Sequence, residues 1–216
     1  MAPGSDLTLR LALAPAVADA AVFDGWTDTA VRAAAAAEGV NPDVAVYAFG
    51  GSAMAMIRAW IERIDADMAV AVPVETLATL PIRERIRRLV RFRLDALVGR
   101  EEALRRALAI MAMPQNASAA MRLGWSSADA MWRLAGDTAT DYNHYTKRMM
   151  LGGIYAATLA VFAQDQSEGH AEAHAFLDRR IEDVMKIEKT KAKWLNRNVE
   201  HFSPARFLGR LRYPAR

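Results

Sequence analysis

An all-α fold is the expectation for this 216-residue chain, and three observations carry it. Alanine and leucine dominate, and apolar residues recur at i, i+3, i+4 spacing over most of the length, the period of helices with one buried face. No sustained alternation of β-branched residues with hairpin turns occurs. Charged residues stand four apart on the polar faces, as in Glu84–Arg88, Glu101–Arg105 and Glu102–Arg106. A hydrophobic share of 53% fits one globular core, or one core with a small appendage, rather than a disordered chain.

The elements follow in order. The first apolar run carries Asp6 and is interrupted by Pro15 and Asp19, which argues against a secretory signal. Ala33–Ala37 suits a helix, Gly39 a turn, and Asn41-Pro42 the start of a short helix. Pro81 opens a helix with Ile82, Ile86, Leu89, Val90, Leu94 and Leu97 on its apolar stripe, and Gly99 ends it. Its other face carries Arg83, Glu84, Arg87, Arg88, Arg91 and Asp95. Because acids interleave the arginines, that face reads as solvated rather than phosphate-binding.

Glu101 begins the next helix. Breaks at Pro114-Gln115-Asn116 and Gly136-Asp137 frame a stripe of Met121, Trp125, Ala128, Met131, Trp132 and Ala135. Cap donors from Thr138 to Asp141 predict a helix from near Asp141 to about Gln164. Ser167-Glu168-Gly169 is a loop. Phe176, Leu177, Ile181, Val184, Met185 and Trp194 then mark a long, increasingly basic helix, and Ser203-Pro204 opens a short terminal one.

Charge is unevenly spread. From Lys186 onward nine basic residues face two acidic ones, a tail of +7 on a body with 19 basic and 23 acidic residues. Such a tail points to an anionic partner, a membrane surface or nucleic acid, or to a solvated end. The uncharged stretch Met149–Gln164 has sixteen residues, short of the roughly 20 that a membrane span needs. The reading is a soluble chain.

Several chemistries are excluded. With no cysteine there is no disulfide, thiolate metal site or cysteine nucleophile. No nucleophile elbow, phosphate-binding glycine loop or dinucleotide fingerprint occurs. His170 and His174 are one turn apart and could share a metal, but Glu172 stands between them rather than directly after the first His, where a zinc-protease base belongs. No Glu is followed by His three residues on, as helical di-iron sites require. Asp137 and Asp141 read as helix-start caps. No catalytic residue, cofactor or metal ligand is assigned, and the expectation is a non-enzymatic protein.

Binding features remain. Phe202, Phe207, Leu208, Leu211 and Tyr213 interleave with Arg206, Arg210 and Arg212. This basic amphipathic segment can lie in a membrane interface or dock on the body, and its clustered arginines favour the membrane. Eleven methionines suit an irregular core or an adaptable apolar pocket. Met111, Met149, Met150 and Tyr155 are the pocket candidates. Gly152-Gly153 allows close helix approach or lipid access.

The N-terminal part resembles the DNA-binding end of the TetR family, on Gly25-Trp26, Thr29, Ala37-Glu38-Gly39-Val40, Asn41-Pro42, Tyr47-Ala48-Phe49 and Ser52. Between Arg32 and Arg58, however, there is no Lys or Arg, and the recognition-helix position carries Asp43. Groove binding needs phosphate-neutralising and base-reading cations. The expectation is a helix-turn-helix remnant with no nucleic-acid partner.

From about Leu80 to Trp194 the chain resembles a ubiquinone-biosynthesis accessory family, the ninth of the numbered coenzyme Q proteins. The matching residues are Pro81-Ile82-Arg83-Glu84-Arg85-Ile86, Met113-Pro114-Gln115-Asn116, Met131-Trp132, the block from Ala135 to Arg148, and Phe176-Leu177-Asp178-Arg179-Arg180-Ile181. The resemblance implies a TetR-like homodimer that binds isoprenoid quinone intermediates at the membrane and presents them to the demethoxyubiquinone hydroxylase. A partner-facing patch carries over to Met131, Trp132, Asp141 and Tyr145, with Arg148 nearby. His144 departs from the family, which usually has Trp there. The implied organisation is a helix-turn-helix-like bundle over 1–70, a lipid-binding and dimerisation domain over 71–200, and a membrane-associating helix over 201–216. The expected location is the inner face of a bacterial cell membrane, or the matrix side in a eukaryote. The competing class is a TetR-type ligand-responsive regulator.

Overall fold

A computed structural model describes residues 3–138, 142–184 and 186. The expected membrane helix and its residues Phe202 to Tyr213 lie outside these, as does Asp141. The chain forms two compact units, Met1–Leu177 and Asp178–Arg216. Both the expected 1–70 bundle and most of the expected 71–200 domain fall within the first. All regular structure among the described residues is helical, so the fold is all-α.

The first unit begins with α1 (Pro3–Asp24), which runs through Pro15 without ending. Leu13, Val17 and Ala21 form its buried stripe, packed on α2 (Asp28–Ala37) and α4 (Ala53–Ala71). On α2 the buried residues are Ala30, Val31, Ala34 and Ala35, small enough for close helix contact. The short α3 (Pro42–Phe49) starts under Asn41, whose side chain accepts from Asp43 N (2.9 Å) and Val44 N (3.4 Å), with Pro42 in the first turn. Gly50 closes α3 at φ +62°. Trp26 is a core anchor, its indole N–H donating to Ala103 O at 3.0 Å and its ring 5.3 Å from Trp60. It therefore fixes the turn after α1 to the later helices.

Helices α5 (Val74–Ala78), α6 (Ile82–Asp95), α7 (Glu101–Met111), α8 (Ala117–Leu134) and α9 (Tyr142–Phe162) complete the main elements. Pro114–Asn116 forms a 3₁₀ turn. Residues 171–177 are helical at the end of this unit, and 178–184 and 186 are helical in the second. α6 ends four residues before Gly99, because 96–99 tighten into turns that include Leu97 N to Leu94 O at 2.9 Å.

Two expected i,i+4 pairs are replaced. Glu84 binds Arg87 and Arg83 rather than Arg88. Glu101 accepts from Gly99 N (2.9 Å) while Arg105 turns to Glu102 and to Ala163 O (2.7 Å). For Glu101 and Arg105, backbone groups left over at helix ends outcompete a solvent-exposed partner. Arg85 does the same three times. It donates to Leu80 O at 2.8 Å, Ala135 O at 2.8 Å and Ala78 O at 3.0 Å.

Asp165 organises the chain after α9. Its carboxylate accepts from Ser167 N (2.8 Å), Ser167 Oγ (2.6 Å) and Ala173 N (2.8 Å). Against the upward pull of burial, these donors and His170 hold its carboxyl below the ordinary 3.8. Asp165→Ala is expected to cost about 1 kcal/mol, as loss of a cap does. Because the folded pKa is depressed, that contribution is present above the ordinary carboxylate value and disappears as pH falls through the lower, folded one. Urea titrations at neutral and acid pH test it, and a pH-independent difference contradicts the assignment.

Candidate functional site

Helices α4, α6, α7, α8 and α9 line a cavity of about 450 Å³, within the range of small-molecule sites. Ile57, Trp60 and Ile64 face it from α4, and Leu104, Leu108 and Met111 from α7. Met121 and Trp125 of α8 and Met149, Gly152 and Leu159 of α9 complete the apolar wall. Met121 and Met149 are 75% and 70% exposed, so they form a rim, while the α4 side is interior. At Gly152 an added Cβ would stand 3.9 Å from Gly124 O and 4.0 Å from Ala128 Cβ. These are ordinary van der Waals distances, and a Cβ at Gly153 would meet nothing within 4 Å, so of the two expected roles the glycine pair serves open cavity space.

Of the expected pocket residues, Met111, Met149 and Tyr155 line this cavity and Met150 does not. One helical step, about 100°, separates Met150 from Met149 and turns it to another face.

One wall is polar. Arg93, on the core-facing side of α6, is 1% exposed. It pairs with Asp65 of α4, donates through Nη2 to Ser127 Oγ at 3.1 Å, and lies 4.9 Å from the Tyr155 ring centroid. Ser127 Oγ donates in turn to Asp65 Oδ2 at 3.3 Å. Burial pushes the Asp65 carboxyl above 3.8 despite the opposing pull of Arg93 and Ser127. Sequence reasoning missed this group. Its signal was an arginine seven residues after Ile86, on the apolar stripe of its helix.

The expected partner-facing residues separate into a surface and its support. Tyr145 is 58% exposed, whereas Met131 is fully buried and Arg148 is 2% exposed. Those two present no surface in the single chain. Arg148 instead binds Asp129 (2.6 Å), Asp137 (3.0 Å) and His144 O (3.1 Å). Trp132 is half-buried. Its indole N–H donates to Lys147 O at 3.0 Å, and the Lys147 ammonium sits 5.3 Å from its ring. His144 and Tyr145 form an aromatic cluster with Trp125, at centroid distances of 6.3 Å and 5.9 Å from it. Trp125 also lines the cavity, so the surface cluster and the rim share a residue. This link was not foreseen.

His170 and His174 face different carboxylates. His170 Nε2 lies 3.1 Å from Glu101 and the ring stacks on Phe162 at 4.1 Å, while His174 Nε2 is 4.0 Å from Asp95. Among the described residues no three His, Asp or Glu side chains converge as metal ligands. None of these helices is alone long and apolar enough to cross a membrane. On α3, the recognition-helix position, Asp43 pairs with Arg32 at 2.7 Å and Tyr47 is 76% exposed.

Comparison with known proteins places these helices. Residues 117–188 match the model of the COQ9 family. The rat mitochondrial ubiquinone biosynthesis protein COQ9 is 34% identical over 173 residues, covering 77% of this chain and 55% of the rat protein. The human mitochondrial protein of the same name is 32% identical over 173 residues, covering 77% of this chain and 54% of its own length. This chain thus spans about half the length of the curated relatives it matches. In structure it resembles a TetR transcriptional regulator from Nitrosomonas europaea, with a TM-score of 0.63, 21% identity, and coverage of 81% of this chain and 96% of that one. That likeness establishes a TetR-like fold.

Proposed function

We propose that this chain, which matches the COQ9 family model over residues 117–188 and is 34% identical to the rat protein over 173 residues, is a non-enzymatic accessory protein of ubiquinone biosynthesis that binds isoprenoid quinone intermediates and presents them to the demethoxyubiquinone hydroxylase. The observation that carries this reading is Trp125, shared between the apolar cavity and the exposed cluster with His144 and Tyr145. A ligand at the rim lies beside the surface that a partner would cover.

The physical task is extraction. A polyprenyl quinone resists leaving the bilayer by about 0.8 kcal/mol per methylene exposed to water. Apolar cavity walls replace the lipid environment for the ring and the first isoprene units. Holding the hydroxylase against Tyr145 and Trp132 then raises the local concentration of substrate without a covalent step. The basic segment Phe202, Arg206, Phe207, Leu208, Arg210, Leu211, Arg212 and Tyr213 supplies membrane attachment in this proposal, and two chains form the working unit. The names of the relatives suggest a mitochondrial setting for a eukaryotic source and the inner membrane face for a bacterial one. A transcriptional role is disfavoured because α3 contains no Lys or Arg and its Asp43 takes up the nearby Arg32, whereas phosphate contacts drive DNA affinity.

Organic extraction of the purified protein followed by mass spectrometry tests the reading. The expected result is an isoprenoid quinone or precursor near one per chain. Clean protein, or only stray phospholipid, would point to a protein-binding adaptor instead. In parallel, Tyr145→Ala is expected to weaken hydroxylase binding at least about tenfold, as loss of an exposed aromatic anchor does. Unchanged affinity by calorimetry moves the interface elsewhere.

A further inference from the structure

The Arg93 group has no role in the apolar part of the cavity, and an interior arginine needs an explanation, since burying an ion costs several kcal/mol. Three nitrogens of its guanidinium can donate. Nη1 engages Asp65 and Nη2 engages Ser127, while Nε is buried with no hydrogen-bond partner. Unsatisfied buried donors are rare in folded proteins, and ligand contacts are one common reason for them. The residues come from four helices, with Asp65 on α4, Arg93 on α6, Ser127 on α8 and Tyr155 on α9. Arg93, Ser127 and Tyr155 all line the cavity. They are 1%, 2% and 7% exposed, whereas the methionines at the rim are largely solvent-facing.

We propose that Arg93, with Ser127 and Tyr155, forms a headgroup subsite for a neutral oxygen acceptor, such as a ring carbonyl or aryl ether, with the ligand's apolar chain leading out over Met121 and Met149. The inference rests on the lipid-binding reading above and narrows it to one ligand class and one orientation. Charge decides the class. Arg93 already faces Asp65, and the other arginine at the cavity, Arg148, faces Asp129 and Asp137. A carboxylate or phosphate reaching Arg93 meets the Asp65 carboxylate already paired with it and finds no uncompensated cation at that end of the cavity. A carbonyl oxygen instead gains a donor and brings no charge. Tyr155, under the guanidinium, adds a flat aromatic wall and a hydroxyl.

The test displaces an environment-sensitive apolar dye from the purified full chain with three chain-matched ligands: a diprenyl benzoquinone, the diprenyl hydrocarbon and a fatty acid. The quinone is expected to displace the dye at about tenfold lower concentration than the hydrocarbon, the value of one hydrogen bond from a charged donor, and the fatty acid to compete no better than the hydrocarbon. In Arg93→Lys, which keeps a cation opposite Asp65 but lacks Nε, the quinone preference should fall to about twofold. Tightest binding by the fatty acid would overturn the neutral-ligand assignment. Equal displacement by quinone and hydrocarbon, or a preference that survives Arg93→Lys, would overturn the subsite while leaving the apolar cavity in place. Failure of all three to displace the dye would overturn both the subsite and the lipid-binding reading. Because the panel on the unaltered protein is decisive alone, a variant that fails to fold does not spoil the test.

Discussion

Arg148→Met is expected to lower the free energy of unfolding by about 3–5 kcal/mol, the usual result of removing one partner from a buried ion cluster. The loss is large because two carboxylates depend on this side chain. Asp137 is 5% and Asp129 19% exposed at the side chain, and the guanidinium reaches both. Lys147 and Arg133 supply the other charges, at 2.7 Å and 2.8 Å, but both are more exposed and do not fill the same space. Arg148→Lys should recover only part of the stability, since a single ammonium cannot match the planar fork. Urea denaturation of the three proteins measures this. A loss below about 1 kcal/mol for the methionine variant, the range of surface pairs, would mean that water reaches the carboxylates. The same substitution also removes the side-chain donation to His144 O, beside the aromatic cluster at the rim.

Arg93→Met is the second large effect, again about 3–5 kcal/mol at neutral pH, because it strands Asp65 in the interior. Its distinguishing mark is the response to acid. Burial already raises the Asp65 carboxyl above 3.8, and removing the guanidinium raises it further. A carboxyl whose folded pKa exceeds its unfolded one favours folding below the unfolded value, and that contribution is lost as pH rises through the folded value. The deficit of Arg93→Met against the parent should therefore shrink on acidification towards 3.8 and widen towards neutrality. Replacing both partners, as Arg93→Met with Asp65→Leu, should recover most of the neutral-pH loss. A double variant as unstable as the single one would show that the packing of the arginine stem, not its charge, is what matters.

Much of the fold was legible because helix signals are local. The periodic stripe after Pro81 and the short helix after the Gly39 turn appear where the residue pattern puts them, and Pro114 sits in the turn between α7 and α8. The cavity was legible only in part. Methionines mark adaptable apolar space, and Met111 and Met149 face it, but nothing in the sequence tells Met149 from its neighbour Met150 until the register of α9 is known. The partner-facing motif residues came from a family pattern, which records that residues matter and not whether they touch solvent. Hence Met131 and Arg148 proved to be interior supports. The polar group at Arg93 was invisible for a different reason. Asp65, Arg93 and Ser127 lie 28 and 34 residues apart in turn, and such meetings are fixed by tertiary packing that leaves no local pattern.

The three carbonyls gathered by Arg85 have a mechanical consequence. Ala135 O, just past the end of α8, is held to the backbone at Ala78 and Leu80, so that end of α8 is a fixed support. Its opposite end meets the Pro114–Asn116 turn, where Asn116 donates to Ile110 O at 2.8 Å and ties α8 to α7. α8 is thus supported at Ala135 and joined at its other end, through Asn116, to α7. From Ala135 back to Met121 the lever is about 21 Å long at 1.5 Å per residue, and a tilt of about 5° at the clamp swings the methionine by nearly 2 Å. The same tilt displaces Ser127, nearer the support, about half as far, so any movement about Ala135 acts most at the rim.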